Sequence, residues 1–149
     1  MRIICCGNKD RGDDGVGLLV AEKLQKLGIE VKTHPGELLG LIAAWDGADQ
    51  VIVVDAVVTG APSGTVHLFD ARQKIELSRA ASTHGFGLAE AIELARVMHR
   101  LPQRLQVYGI EAKQFELGTD ISSHVKDAAD NVAREIAEKV KASGGGVCP

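Results

Sequence analysis

Arg2-Ile3-Ile4-Cys5-Cys6-Gly7-Asn8-Lys9-Asp10-Arg11-Gly12-Asp13-Asp14-Gly15-Val16-Gly17 passes from a short apolar run, through a loop rich in glycine and aspartate, into a helical pattern. The apolar run reads as a β-strand. Val16, Leu19, Val20, Lys23, Leu24 and Leu27 then recur at helical spacing, and Gly28 ends that helix. A strand, a tight loop and a helix in this order predict an α/β fold on a largely parallel sheet.

The rest of the chain extends the alternation. Ile29–Thr33 is expected as an edge-like strand closed by His34-Pro35-Gly36, and Glu37–Trp45 as a short helix. Val51-Ile52-Val53-Val54-Asp55 is an unbroken β-branched run suited to a central strand buried on both faces. Only a short turn-rich loop separates it from Thr65–Phe69. A parallel crossover needs a dozen or more residues, so that strand is predicted to be antiparallel. A helix over Gly87–Met98, a strand over Leu105–Tyr108 and a long final helix capped by Ser122 or Ser123 complete the series. The expected architecture is a single three-layer α/β domain over residues 1–142. It has a twisted, mostly parallel sheet of about five strands, one of them antiparallel, and helices on both faces. Residues 143–149 are expected to form a flexible tail.

With 149 residues and 45% hydrophobic content, the chain suits one domain with a substantial core. A formal charge of -3 gives no electrostatic reason to expect nucleic acid or an anionic membrane. No apolar run approaches the ~20 residues of a membrane span, and nothing near Met1 resembles a signal peptide. Cys5 and Cys6 are adjacent and Cys148 is distant, which fits neither a disulfide framework nor a zinc spacing. A cytoplasmic protein with reduced thiols is expected.

Ligands of open α/β sheets bind beyond the carboxyl ends of the strands. Three polar segments should gather there: the Asn8–Asp14 loop, Asp55, and His84 within Ser82-Thr83-His84-Gly85. Each has an ordinary structural explanation. Asp55 can bind a nearby backbone amide, Asp13 or Asp14 can cap the first helix, and His84 can be a surface residue. Together, two carboxylates and an imidazole form an oxygen–nitrogen site open to a borderline metal or to acid–base chemistry. His34 ranks lower, as do His67, His99 and His124, none of which has an acidic or cysteine neighbour at diagnostic spacing. Asp10, Asp13 and Asp14 would repel a pyrophosphate, and the glycine spacing fails the dinucleotide fingerprint. A nucleotide-binding domain is therefore the weakest alternative.

These segments resemble the hydrogenase maturation endopeptidases, which process the large-subunit precursor of nickel-iron hydrogenases. The resemblance rests on Gly7-Asn8 with Arg11–Gly17, on Val53-Val54-Asp55-Ala56, and on Ser82-Thr83-His84-Gly85 followed by Leu88. Leu101-Pro102 and Tyr108-Gly109-Ile110-Glu111 extend it. The resemblance implies a metal-recognition site of Asp14, Asp55 and His84, with Asp13 supporting the loop or capping the helix. It implies removal of a C-terminal extension after nickel insertion, with nickel supplied by the substrate and no organic cofactor. Asp14 or Asp55 would serve as general base. The missing His-Glu-x-x-His motif agrees with a protease that carries no metal of its own. Cys5 departs from a usual glycine and Asp10 from a usual apolar residue. A non-catalytic module that senses a nickel-loaded partner is the alternative from another class.

Overall fold

The computed structural model describes residues 1–8, 10–71, 81–82, 88–113 and 115–144, with backbone alone at 38, 81 and 82. Its strands are β1 (Arg2–Cys6), β2 (Lys32–His34), β3 (Gln50–Val58), β4 (Val66–Asp70), β5 (Ala81–Ser82) and β6 (Arg104–Glu111). The helices are α1 (Val16–Lys26), α2 (Leu38–Trp45), α3 (Leu88–Val97) and α4 (Ser123–Ala142). A single 3-10 turn, Gly12–Gly15, precedes α1.

The sheet runs β2-β1-β3-β6-β4. β1 pairs in parallel with β2 and β3, and β3 in parallel with β6. β4 is antiparallel to β6, as the short preceding loop requires. The two-residue β5, which the sequence pattern did not show, lies antiparallel to β3 at Val57 and Val58. Those positions are beyond Val54, the last β3 residue paired with β1. β5 therefore extends the sheet at its carboxyl edge.

Strand alternation divides the core in two. Ile3, Cys5, Ile52, Val54, Ala56, Tyr108 and Ile110 pack beneath α1 and α4. Ile4, Cys6, Val51, Val53, Leu105 and Val107 pack beneath α2 and α3, with Trp45 and Ile92 among their partners. Lys23 of α1, the polar residue in the helical stripe, pairs with Asp130 of α4. Leu27 lies outside the apolar stripe and is exposed.

The second strand begins later than the sequence pattern implied. The Ile29 N–H bonds to the Leu24 carbonyl at 3.1 Å and the Gly28 N–H to the Gln25 carbonyl at 3.0 Å, with Gly28 at φ +80°. This Schellman closure commits Ile29 to capping α1, and its side chain is buried in the core. β2 consequently starts at Lys32 and includes His34, which the sequence pattern had placed in a turn. Residues 145–149, including Cys148, lie outside the described residues. Among the described residues, no helix is long and apolar enough to cross a membrane.

Candidate active site at the carboxyl edge of the sheet

The acidic loop folds back on itself. The Asn8 N–H reaches the Asp14 carbonyl at 3.0 Å, the Asp14 N–H the Arg11 carbonyl at 3.1 Å, and the Asp10 N–H the Asn8 Oδ1 at 3.0 Å. Those amides are bonded within the loop and are not available to cradle a phosphate. Two glycines are needed for close approach. A Cβ on Gly7 would lie 2.5 Å from the Asp14 carbonyl oxygen, and one on Gly17 would overlap the Cys6 carbonyl. The first turn of α1 is thereby pressed against the end of β1.

Neither Asp13 nor Asp14 caps a helix by its side chain, contrary to the expectation for one of them. The N-cap of α1 is Gly15. Asp13 instead crosses to the far end of the chain. Its carboxylate accepts the Lys113 N–H at 2.7 Å, the Ser122 N–H at 2.7 Å, and the Ser122 hydroxyl at 2.9 Å to each oxygen. Ser122 occupies the N-cap position of α4, but its hydroxyl serves Asp13 and makes no cap bond.

Asp14 is fully buried and Asp55 is 2% exposed. The turn carrying Asp14 packs against β3, the strand carrying Asp55. The Ala56 N–H donates to Asp55 Oδ1 at 2.8 Å, so the ordinary local amide bond is present. Cys6 lies beside Asp55, and burial, the Asp55 charge and Cys5 together push its thiol well above the ordinary range. Burial also raises Cys5 to about 12. Both cysteines are therefore inert packing groups, as expected for buried strand cysteines.

Register places further residues at this level. Cys6 is opposite His34, Asp55 is opposite Gly109, and Gly109 is opposite His67. Since Cys5 is opposite Val54, the next position puts Cys6 level with Asp55. One row thus crosses five strands on the α2/α3 face: His34, Cys6, Asp55, Gly109 and His67. His34 Nδ1 accepts the Gly36 N–H at 2.9 Å. Burial lowers its pKa, and the Glu37 charge works in the opposite direction.

At the other end, His67 Nε2 lies 3.1 Å from Oε1 of Glu111, which is 1% exposed. Glu111 also accepts the Thr59 N–H at 2.8 Å and the Thr59 hydroxyl at 2.6 Å. Burial alone would raise this carboxyl, but the bonds from Thr59 and His67 hold it below the usual glutamate range. His67 has no acidic neighbour at diagnostic spacing because Glu111 is 44 residues away and approaches only through β4–β6 pairing.

His84 falls outside the described residues. The structure therefore brings Asp14 and Asp55 to one edge and leaves the third predicted residue undescribed. Among the described residues, no group of three or more His, Cys, Asp or Glu side chains could hold a metal ion.

A family model for hydrogenase maturation proteases of the HycI type matches residues 20–139. The chain belongs to the hydrogenase maturation protease family. The matched span includes Asp55 and His84 and begins after the Asp14 loop. Protein FrxA of Pyrococcus furiosus is 33% identical over 121 residues, covering 78% of this chain and 88% of FrxA. Among solved structures, the NiFe hydrogenase maturation protease HybD from Thermococcus kodakarensis superposes with a TM-score of 0.75 at 28% identity, covering 94% of this chain and 99% of that one. The maturation protease HycI from the same organism gives 0.69 at 31% identity, covering 94% and 92%. The α/β architecture expected from the sequence is thus that of the maturation endopeptidases.

Proposed function

We propose that this maturation protease removes the C-terminal extension of a nickel-iron hydrogenase large-subunit precursor after nickel insertion. Nickel arrives as part of the substrate, and Asp14, Asp55 and His84 complete its coordination. What supports this reading is that Asp14 and Asp55 are both buried and that the turn carrying Asp14 packs against β3, the strand carrying Asp55. Asp13, their neighbour, is occupied in holding the chain together. Carboxylate oxygens suit a divalent cation, and neutral imidazole suits nickel. The free thiols of Cys5 and Cys6 fit a reducing cytoplasm.

Holding the metal would fix the scissile carbonyl against an attacking water, and such positioning supplies about 7–11 kcal/mol in favourable cases. Asp14 or Asp55 accepts the water proton as the carbon–oxygen bond forms. That proton passes to the leaving amine as the carbon–nitrogen bond breaks. Binding should weaken at acid pH, where the imidazole and carboxylates protonate.

Incubation with purified nickel-loaded and nickel-free precursor, read by intact mass, tests the reading. Mass loss is expected only with the loaded form. Asp14→Ala, Asp55→Ala and His84→Ala should each slow it by about 100-fold or more. Wild-type rates in both Asp14→Ala and His84→Ala would refute the site. A stable complex without mass loss would mark a non-catalytic module.

A further inference from the structure

The function proposed above leaves one polar unit of the same face unused. Asp55, Gly109 and His67 stand level on β3, β6 and β4. His67 is therefore two strand spacings, about 10 Å, from Asp55. The position between them has no side chain. A Cβ on Gly109 would lie 2.9 and 3.0 Å from the Val57 methyls and 3.4 Å from the Phe69 ring, so apolar groups close over the backbone there. Asp55 and His67 are left as the polar groups on either side.

Glu111 fixes the imidazole. An ionised carboxylate only accepts, so at 3.1 Å His67 Nε2 must donate to it. The ring is also stacked on Phe69, with centroids 5.8 Å apart and planes 11° from parallel. Nδ1 of the neutral ring is then an acceptor, and among the described residues nothing donates to it. The side chain is 23% exposed. A loop latch would need only the Glu111–Thr59 bonds; it would not need a stacked, half-open imidazole with one nitrogen still available.

We propose that His67 is a substrate-binding residue, its Nδ1 accepting a hydrogen bond from a backbone N–H of an extended peptide laid from Asp55 toward β4. The proposal rests on the peptidase reading of this edge. A span of about 10 Å is about three residues of extended chain, so the contact falls about three residues from the one held at Asp55. Glu111 and Thr59 are positioning residues behind it.

The probe is the nickel-loaded large-subunit precursor, with steady-state cleavage and direct binding measured side by side. His67→Phe keeps the ring stack and removes the acceptor. KM and Kd should rise about three- to tenfold with kcat within about twofold, the value of one neutral hydrogen bond. His67→Asn restores an acceptor oxygen near the Nδ1 position while losing the Glu111 bond, and it should recover most of the binding. Thermal melts of both variants identify any loss of fold. Unchanged KM and Kd in His67→Phe, or equal losses in both variants that follow their melting temperatures, would overturn the proposal. If the wild-type protein binds precursor without cutting it, the peptidase reading fails and the binding comparison still decides His67. If it neither binds nor cuts, both fail.

Discussion

Asp13→Ala removes a carboxylate that accepts two backbone N–H groups and one hydroxyl. Ser122 can turn its hydroxyl to water, but the Lys113 and Ser122 amides are fixed by the backbone. An orphaned donor costs about 1–3 kcal/mol, and both lie in partly buried surroundings where some water can enter. A loss of about 2–4 kcal/mol follows, against a total stability of about 5–15 kcal/mol. For a chain near 150 residues, each kcal/mol moves the melting temperature by about 2–4 °C, so a drop of about 10 °C is expected. Asp13→Asn, which keeps one acceptor oxygen, should lie between this variant and wild type. Ser122→Ala should cost only about 1 kcal/mol. Calorimetry with urea titration gives both quantities. A melting temperature within about 2 °C of wild type for Asp13→Ala would refute the assignment of Asp13 as the tie between the loop and α4.

Gly17→Ala should lower stability by about 1–3 kcal/mol in urea titration because the new methyl meets the Cys6 backbone, which cannot rotate away. Glu111 gives a pH signature. Its folded pKa is depressed from 4.5, so its contribution is present above that value and lost as pH falls through the folded pKa. Urea midpoints from pH 6 to pH 3 should fall less steeply in Glu111→Gln than in wild type. Cys5 and Cys6 should resist alkylation in the native protein at pH 8 and react after denaturation, measured by peptide mass mapping.

What was legible in the sequence was whatever depends on local pattern. Val51–Asp55 carried the central strand, and the shortness of the connection to Thr65 gave the direction of β4. Asp14 and Asp55 are both buried, and β3 runs beyond Asp55 to Val58, further than the apolar run Val51–Val54 implied. Pattern failed where a residue had two local options, as at Ile29, whose apolar side chain fits a strand or a helix closure equally well. It also failed where the partner was remote. Nothing near Asp13 shows that Ser122 will claim it, and nothing near His67 points to Glu111. The five-strand row could be known only once pairing register was fixed, since a shift of one residue reverses the face of every side chain.

The bond between Asp13 and Ser122 spans 109 positions, which orders events as the chain is made. The acidic loop is synthesised 100 and 109 residues ahead of the Lys113 and Ser122 donors that satisfy its buried carboxylate. At about 5–20 residues per second, that interval is roughly 5–20 s. Throughout it, the loop has its charge but lacks its anchor, so the turn bearing Asp14 is tied down only after residues far downstream have been made. The nascent chain is thus without that tie until Ser122 has been synthesised.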